Sequence, residues 1–387
     1  MSVYILGSAR TPITSFLGPY SSTSACELGG VAIKASVDRS NIPVEKIDEV
    51  IMGMVVQAGS GQAPARQATI YSGLPCSVPA TTINKVCGSG LKSIIMGAQS
   101  ILSGDNSVVV AGGMENMTMA PHLLPSGRLG TKFGSSAVLD SMQFDGLRDA
   151  YSDQAMGNCA ELCVAKYDFS RSELDDYAEM SFRRAQSAQK EGVFDSEITP
   201  VEIKGRKGSV TTVETDEGPT KVNFEKMRKL RPAFVKEGSI TAANASTIND
   251  GAAAMVLGGE KFANQAEFKI VAYASHAHEP EWFTTAPIEA TKKCLKKANL
   301  SINEIDLFEI NEAFAVVALA SIKELELNID KVNIYGSGIS LGHPIGVSGS
   351  RIVMSLMTGL KREKKKYGLA SICIGGGEAL AIIIERL

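Results

Sequence analysis

Apolar positions along the chain follow two patterns, short runs typical of buried strands and longer stretches with helical spacing. The chain opens with a strand-like run, Val3–Ala9, and a helical stretch follows over Leu28–Arg39. A later helix is predicted to carry its apolar residues on one face, namely Leu91, Ile94, Ile95, Ala98, Ile101 and Leu102. The run SVVVAGG after it predicts a buried strand. This alternation of strands and helices predicts an α/β protein.

The last third of the chain repeats the order of elements found in the first. Residues 290–306, ATKKCLKKANLSINEID, align without a gap on residues 32–48, AIKASVDRSNIPVEKID. Further on, SICIGG near Cys373 matches VVVAGG, and the loop and helix at His343 match those at Cys87. A repeat of this length predicts two copies of one α/β unit, packed together about a pseudo-twofold axis.

Composition changes between the two copies. The intervening stretch contains a loop-like segment, an amphipathic helix capped by a serine at Ser170, and short strands and turns over residues 204–221. This mixture predicts an inserted α+β domain that covers a site. We therefore predict a first half (residues 1–117 with 248–265), an inserted domain (118–247) and a second half (266–387).

Composition and charge narrow the range of functions. The 387 residues are 44% apolar and 21% charged, with a net charge of −3, so no basic surface for nucleic acid is expected. No apolar run approaches the ~20 residues of a membrane span. Seven scattered cysteines predict free thiols in a reducing compartment. Because the start of the chain reads as a strand and not as a signal peptide, we expect the protein in the cytoplasm.

One glycine-rich stretch stands out as a candidate for chemistry. Residues 336–351, GSGISLGHPIGVSGSR, hold His343 between a glycine and a proline. A short strand, Val332–Tyr335, is predicted to enter this loop, and a helix over Ile352–Leu360 is predicted to leave it. An imidazole on a tight loop between strand and helix suits proton transfer near neutral pH.

Two cysteines and a polar pair occupy comparable places at strand ends. Cys87 precedes a helix whose N-terminus would lower the pKa of the thiol. The repeat places His343 on the equivalent loop, so a twofold axis would bring the two side chains face to face. Cys373 ends a strand, with free backbone N–H groups at Gly375–Gly377, and the pair Asn311–Glu312 follows another strand. In α/β sheets such ends are where sites form.

These stretches resemble the thiolase family. NKVCGSG, NEAFA, GSGISLGHPIGVSG and CIGGGEA occur in the order and spacing of that family, and KLRPAF and ITAANASTINDGAA in the inserted region are also similar to thiolase segments. The resemblance covers essentially the whole chain. It implies the five-layer αβαβα thiolase fold and, most closely, the short-chain type with acetyl-CoA C-acetyltransferase activity.

The resemblance also implies roles for particular residues. Cys87 would take the acetyl group as a thioester after passing its proton to His343. His343 and a water held by Asn311 would form one oxyanion hole, and the backbone N–H groups of Cys87 and Gly375 the other. Cys373 would remove a proton from the methyl group of a second acetyl-CoA. Coenzyme A thioesters are then the substrates, and no metal or tightly bound cofactor is implied.

Further positions are candidates for contact with the substrate. The resemblance places Ser246 beside the pantetheine arm of coenzyme A, and Met156 and Phe283 around a pocket for a short acyl chain. The other candidates for binding coenzyme A are Ala242, Ala243, Phe234 and Phe314. His276 and His278 lie two apart on a predicted strand, but no metal site is expected there because Cys or carboxylate partners are missing from the pattern.

Three positions depart from the usual pattern of the family. Ser337 stands where glycine is usual, and we expect it to adopt ordinary backbone angles between Gly336 and Gly338. Substitution of Ser337 by Gly is then expected to leave activity nearly unchanged. Ala155 replaces a histidine of many short-chain members, and Pro219 replaces an arginine or tyrosine. The last two concern contacts to the coenzyme A head group and any potassium site, not the chemistry.

Three other functions fit parts of the pattern. A degradative 3-ketoacyl-CoA thiolase would use the same residues with a larger pocket. A non-catalytic thiolase-like protein that binds lipid or coenzyme A belongs to another class, and the intact NEAFA segment argues against it. A dinucleotide-dependent oxidoreductase would need GxGxxG at the start of a helix, which the glycine-rich loops do not provide. Because thiolases self-associate, a homodimer or homotetramer is expected.

Overall fold

The computed structural model describes residues 2–205 and 208–387 and, over these residues, contains one mixed sheet of ten strands and two small hairpins. The strands are β1 (Val3–Arg10), β2 (Thr14–Ser15), β3 (Glu49–Gly53), β4 (Ala80–Ile83), β5 (Val108–Asn116), β6 (His122–Leu123), β7 (Leu139–Asp140), β8 (Val201–Lys204), β9 (Val210–Val213), β10 (Asn249–Gly258), β11 (Phe268–Ala277), β12 (Leu307–Ile310), β13 (Tyr367–Ile374) and β14 (Glu378–Arg386). The α-helices are α1 (Ala25–Ser40), α2 (Pro64–Tyr71), α3 (Ser89–Ser103), α4 (Met156–Tyr167), α5 (Arg171–Lys190), α6 (Phe224–Met227), α7 (Ala286–Ala298), α8 (Ala315–Glu324), α9 (Gly338–Leu341) and α10 (Ser348–Arg362). In the described part of the chain, none of the helices has the length and apolar character needed to cross a membrane.

The order of strands shows the duplication predicted from the sequence. The large sheet runs β12-β13-β14-β11-β1-β10-β5-β3-β4, with β2 added to β10. From the central pair β1 and β11, the order outward is β10, β5, β3 on one side and β14, β13, β12 on the other. The outer neighbours β3–β5 and β12–β13 pair in parallel, and the inner ones are antiparallel. Each half is therefore one copy of the same α/β unit.

The two aligned segments of the repeat fold alike. Helix α1 is capped by Asn41 at φ 55°, and helix α7 is capped by Asn299 at φ 54°. Asparagine tolerates this left-handed conformation better than most residues, which makes it a common helix terminator. A 3₁₀ turn follows in both copies, and then β3 or β12. The shared asparagine explains why the two segments align without a gap.

Three apolar cores fill the space between five layers of structure, the second of them on both faces of the middle layer. The first lies between α1, α2 and the strands of the first half, and contains Leu28 and Ile33. The second lies between both sets of strands and includes Ile94 of α3 and Ile352 of α10. The third lies between α7, α8 and the strands of the second half, around Val316. The layers therefore run α, β, α, β, α, as the resemblance implied.

Helices α3 and α10 approach closely near their N-termini because glycines face each other there. A Cβ atom on Gly90 would lie 2.7 Å from Ser350 Oγ, and one on Gly349 would lie 2.3 Å from the backbone nitrogen of Leu91. Gly90 and Gly349 occupy equivalent positions of the repeat. Since each helix follows one of the candidate loops, this contact places the two loops side by side.

Buried charges attach the inserted region to the first half. Arg10, at the end of β1, forms ion pairs with Glu197 at 2.7 Å and Asp216 at 2.8 Å, and all three side chains are buried. The predicted serine cap of α5 is present, because Ser170 accepts a hydrogen bond from the backbone of Glu173. Strands β8 and β9 pair as a hairpin, and residues 206–207 of the predicted strand-and-turn segment lie outside the described residues. The domain boundaries proposed from the sequence remain a prediction.

The predicted strand over Val332–Tyr335 is wrong. Only Val332 makes a bridge, to Phe308, and the chain then turns. Asn333 has φ 50°, and its side-chain amide accepts from the backbone N–H of Ile310 and donates to the Ile310 carbonyl, both at 2.8 Å. The side chain of Asn333 thus makes the hydrogen bonds to β12 that the backbone of a further strand would have made.

Two details of the predicted helices also differ. Leu102 is 41% exposed, because it lies at the C-terminal end of α3 and about 100° around the helix from buried Ile101. Helix α10 begins at Ser348 and not at Ile352, because its small first residues pack against α3. Apolar spacing alone does not reveal a buried helical turn made of serine and glycine.

Replacing Gly349 by Ala is expected to destabilise the protein, because the new methyl group would lie 2.3 Å from a backbone atom of α3. Overpacking of this kind costs about 1–3 kcal/mol or more. Gly359→Ala, on the same helix, is the control, since its methyl group would meet only side-chain atoms, the nearest being Leu307 Cδ1 at 3.1 Å. We expect Gly349→Ala, and not Gly359→Ala, to lower the melting temperature. Equal melting temperatures of the two variants would show that the contact between α3 and α10 tolerates a side chain.

Candidate active site

Cys87 lies in a tight turn between β4 and α3. Val86 before it has φ 47°, a left-handed conformation that is costly for a β-branched residue. The turn is held by Asn84 Oδ1, which accepts from the Val86 N–H at 2.9 Å. Ser89 Oγ accepts from the Lys85 N–H at 2.8 Å and donates to the Val86 carbonyl at 2.7 Å. These bonds present the half-buried thiol of Cys87 just before the helix.

The thiol of Cys87 is protonated at neutral pH, so the lowered pKa predicted from the helix N-terminus is wrong. Burial raises the pKa of Cys87 to about 11, and the nearby Glu115 carboxyl adds to the rise. The backbone N–H of Gly375 donates to the sulfur and opposes this shift. Exclusion of water from the thiolate outweighs the favourable helix end. Such a thiol needs a neighbouring base before it can act as a nucleophile.

His343 is the candidate for that base because one of its ring nitrogens is unpaired among the described residues. Its backbone N–H donates to Asn249 Oδ1 at 3.0 Å, and its Nδ1 lies 2.6 Å from Ser348 Oγ. The Ser348 hydroxyl donates to the Pro344 carbonyl at 3.1 Å, so it accepts from Nδ1–H and leaves Nε2 unprotonated. Among the described residues Nε2 has no hydrogen-bond partner. Burial, helped by the charge of Arg351, lowers the pKa of His343 to about 3 and keeps the imidazole neutral.

Glu115 ties the histidine loop to the first half, a role that sequence analysis missed. This buried carboxyl accepts backbone N–H groups of Val55 at 3.0 Å, Val56 at 3.1 Å and Gly346 at 2.9 Å. Gly346 follows His343 closely in the chain, so the contact holds the imidazole in place. The sequence did contain a signal for this role, an acidic residue near the end of a strand that begins with an apolar run. Every residue of β5 is buried.

Cys373 brings a second thiol to the same place. It lies near the end of β13 and is 1% exposed. Burial raises the pKa of Cys373 well above its usual value, and the sulfur of Cys87 raises it further. Gly376 at φ 90° and Gly377 at φ 80° then turn the chain into β14. The turn leaves the Gly375 N–H directed at Cys87, so two thiols and a donor converge. All seven cysteines are free, as predicted.

Asn311 offers a buried donor at the end of β12. Its backbone N–H donates to the Ser371 carbonyl at 2.9 Å, which fixes the main chain. Its side-chain oxygen accepts from Arg351 Nη2 at 3.4 Å, while Nδ2 has no partner within the described part of the chain. Because an unpaired buried amide is costly, Nδ2 is suited to donate to a substrate or to a water molecule.

Glu312, the other member of the predicted polar pair, is a structural anchor. Its carboxylate accepts from Tyr177 Oη at 2.9 Å and from Ser181 Oγ at 2.7 Å, both on α5 of the inserted region. Asn333 Nδ2 donates to it at 2.9 Å. These bonds use both carboxylate oxygens, so Glu312 holds α5 against the loop that follows Asn311.

Aromatic candidates for substrate contact pack against one another in the apolar cluster that contains Cys373. The ring of Phe314 lies 6.0 Å from that of Phe234 and 6.2 Å from that of Phe283, both edge to face. A Cβ atom on Gly375 would lie 3.6 Å from Met156 Cε, so Met156 borders the donor loop. These side chains pack in the apolar cluster that contains Cys373, and Met156 lies nearest to the loop whose N–H faces Cys87.

The predicted contacts to coenzyme A line a connected segment. The Ser246 N–H donates to the Ala313 carbonyl at 2.9 Å, which places Ser246 next to the NEAFA stretch. Ala243 is buried and Ala242 is exposed. The structure therefore places Ser246 beside the NEAFA stretch and Ala243 in the apolar cluster that contains Phe314, and it does not bring the exposed Ala242 to them.

The two parts of the chain match two family models, "Thiolase, N-terminal domain" over residues 3–261 and "Thiolase, C-terminal domain" over residues 264–386. The chain belongs to the thiolase family. A cytosolic acetyl-CoA acetyltransferase of Gibberella zeae is 48% identical over 100% of this chain and 98% of its own length, and acetyl-CoA acetyltransferase 2 of Arabidopsis thaliana is 49% identical over 100% and 97%.

Solved thiolase structures agree over the full chain. The Acat5 thiolase of Ascaris suum in complex with coenzyme A has a TM-score of 0.95 at 46% identity, with 100% of both chains covered. The acetyl-CoA acetyltransferase of Bacillus anthracis has a TM-score of 0.97 at 38% identity, covering 100% of this chain and 99% of that one. The thiolase fold implied by the sequence is thus confirmed.

The structure accommodates the departures from the usual thiolase pattern. Ser337 has a negative φ of −151°, with ψ −137° outside the usual extended range, and Gly336 beside it carries the positive φ of 76°. Gly338 is required by a close approach, because its Cβ would lie 2.9 Å from the Glu312 carbonyl oxygen. Ala155 precedes α4 without a side-chain cap, and Pro219 is buried.

His276 and His278 have other partners in this thiolase. Their rings lie 5.0 Å apart, His276 Nδ1 is 2.9 Å from Lys293 Nζ, and His278 Nε2 is 2.7 Å from the Trp282 carbonyl. Over residues 2–205 and 208–387, no three His, Cys, Asp or Glu side chains are grouped so that they could hold a metal ion.

The raised pKa of Cys87 predicts how the thiol reacts with iodoacetamide. Only the thiolate is alkylated, so the rate should rise about tenfold per pH unit from pH ~7 to ~9, without a plateau at lower pH. Peptide mass spectrometry separates Cys87 from the exposed Cys76, which reports on the reagent. A pH-independent rate between pH ~5 and ~7 would instead reveal a preformed thiolate–imidazolium pair with His343.

Proposed function

We infer that this thiolase is an acetyl-CoA C-acetyltransferase, which joins two molecules of acetyl-CoA reversibly to give acetoacetyl-CoA and coenzyme A. Relatives that carry the name acetyl-CoA acetyltransferase match the full chain at 48% and 49% identity, and a thiolase of the same fold binds coenzyme A. The observation that carries the proposal is the position of Cys87, whose sulfur lies near that of Cys373 and which packs against the apolar cluster containing Ile345, two residues after His343.

In the first half of the proposed reaction, His343 Nε2 takes the proton of Cys87, and the sulfur attacks the carbonyl carbon of acetyl-CoA. The carbonyl oxygen becomes negative and accepts hydrogen bonds from the backbone N–H groups of Cys87 and Gly375. Support comes from the Gly375 N–H, which already points at the sulfur. The bond to the coenzyme A sulfur then breaks, and this sulfur takes the proton of Cys373. An acetyl-Cys87, an imidazolium and a Cys373 thiolate remain.

In the second half, the Cys373 thiolate removes a proton from the methyl group of another acetyl-CoA. The very high pKa of the free thiol means that the thiolate is a strong base. The enolate oxygen is held by the protonated Nε2 of His343 and, through a water, by Nδ2 of Asn311. The carbanion attacks acetyl-Cys87, and the released sulfur takes the proton back from His343. All protein groups then return to their starting protonation states.

We also propose that the protein is cytoplasmic and self-associates through the inserted region. The Gibberella zeae relative is named as cytosolic. Within the inserted region, Leu129 is 86% exposed and Phe133 is fully exposed. Apolar side chains of this size at the surface favour a protein partner, and a second copy of the chain suits them. We further propose that the protein holds no tightly bound cofactor and that it forms a homodimer or a homotetramer.

Mass analysis tests the proposed roles of the two thiols. Acetyl-CoA is expected to add one acetyl group to the Cys87 peptide of the wild-type protein, and also in Cys373→Ala. The variant should lose exchange of the acetyl-CoA methyl protons with solvent, because its base is absent. Acetylation of another peptide would remove Cys87 as nucleophile. Proton exchange retained in Cys373→Ala would assign the base elsewhere.

A series of substrates distinguishes this activity from that of a degradative 3-ketoacyl-CoA thiolase. Because three phenylalanine rings pack in the apolar cluster that contains Cys373, kcat/KM for cleavage is expected to fall at least about tenfold from acetoacetyl-CoA to 3-ketohexanoyl-CoA, and further for 3-ketopalmitoyl-CoA. A coupled assay with coenzyme A measures all three substrates. Equal or rising values with chain length would favour the degradative activity.

A further inference from the structure

We propose that Ser337 is a positioning residue for the carbon–carbon bond-forming step, acting through Arg351 on Asn311. The proposal rests on the function inferred above and concerns only the oxyanion hole formed by Asn311 and His343. It starts from a departure noted in the sequence, a serine in a position where thiolases usually have glycine. Glycine has no side chain that could accept the hydrogen bond seen here.

The contact between Ser337 and Arg351 is the shortest that the guanidinium makes. Arg351 lies on α10 and is completely buried. Its Nη2 donates to Ser337 Oγ at 3.0 Å and to Asn311 Oδ1 at 3.4 Å. Since one such nitrogen carries two hydrogens, the two acceptors together fix the rotation of the guanidinium plane.

The other contacts of the guanidinium are weaker. Glu309 Oε2 lies 3.6 Å from Arg351 Nη1, beyond hydrogen-bonding distance, and Ser337 Oγ donates to the same carboxyl oxygen at 3.4 Å. Among the described residues, Nε and Nη1 of Arg351 have no hydrogen-bond partner. Without the serine hydroxyl, only the two longer contacts would orient Arg351.

The orientation of Arg351 determines that of the Asn311 amide. A guanidinium can only donate, so the amide oxygen must face Arg351, and Nδ2 must face the other way. Nδ2 is the buried donor that has no partner in the described part of the chain. A positive charge beside the oxygen also polarises the amide and strengthens Nδ2–H as a donor. Ser337 therefore helps to hold the proposed donor for the enolate oxygen.

The effect should fall mainly on one half of the reaction, because removal of the Ser337 hydroxyl leaves the charge of Arg351, which acts on His343, in place. The N–H groups of Cys87 and Gly375, which serve the acetyl-transfer half, make no contact with Ser337 or Arg351 among the hydrogen bonds of the described residues. Asn311 serves the second half, in which negative charge develops on the oxygen of the second acetyl-CoA. A serine that mattered only for folding would affect both halves together.

This structure changes the expectation drawn from sequence for Ser337. The ordinary backbone angles expected from the sequence implied that glycine would be tolerated without loss of activity. The hydrogen bond to Arg351 instead predicts a loss when the hydroxyl is removed. Ser337→Ala is the sharper test, because alanine keeps Cβ and leaves the backbone freedom of the loop unchanged.

The experiment compares wild type, Ser337→Ala and the control Ser355→Ala. Ser355 is a buried serine on α10, one turn beyond Arg351, and its hydroxyl has no partner among the described residues. For each protein, rapid quench and mass analysis give the rate of Cys87 acetylation, and incorporation of deuterium from heavy water into the acetyl-CoA methyl group gives the rate of enolate formation. Melting temperatures confirm that all three are folded.

In Ser337→Ala, acetylation is expected to stay within about twofold of wild type, while deuterium exchange and condensation fall about tenfold, the effect of a modest change in transition-state stabilisation. Ser355→Ala should match the wild type in both. Unchanged exchange in Ser337→Ala, or an equal loss in both steps, would overturn the positioning role. A wild-type protein that neither acetylates Cys87 nor forms acetoacetyl-CoA would instead refute the proposed function.

Discussion

The contact between helices α3 and α10 sets the geometry on which the site depends. Each helix begins directly after one of the loops that carry Cys87 and His343, and the helices meet where Gly90 and Gly349 have no side chains. The separation of the loops is therefore fixed by backbone packing, which is stiffer than any contact between long side chains. Glu115 adds a second connection across the halves through the N–H of Gly346. The duplicated fold places its two unequal loops within reach of one another.

Burial then determines the chemistry of the groups assembled there. It raises the pKa of both thiols and lowers the pKa of His343, so each of these groups is uncharged in the resting protein. In the proposed reaction, charge appears only when a proton moves, beside Nε2 of His343 and Nδ2 of Asn311, which have no protein partner among the described residues. Unpaired donors and acceptors are costly in an interior. In the proposed reaction, Nδ2 and the protonated form of Nε2 offset that cost by donating to the enolate oxygen.

The features that depend on local sequence pattern could be predicted. The aligned segments 32–48 and 290–306 indicated the duplication, and the glycine-rich motifs indicated the loops. Features that depend on contacts between residues far apart in the chain were either missed or predicted wrongly. The pKa of Cys87 depends on exclusion of water by residues far apart in the chain, and the absent strand after Val332 depends on how the Asn333 side chain meets β12. The partner of Ser337 could not be inferred because spacing along a chain does not show which side chains meet in a core.

In the short segment after β12, a structural role and a proposed catalytic role fall on adjacent residues. Asn311 keeps its amide nitrogen unpaired within the described structure, whereas both oxygens of Glu312 are occupied by Tyr177, Ser181 and Asn333. Glu312 is therefore rigidly held, and this limits the movement of Asn311 beside it. Because Tyr177 and Ser181 belong to α5, the inserted region that is predicted to cover the substrate is fastened to the backbone beside Asn311. Displacement of α5 would thus disturb both the cover of the site and its buried donor.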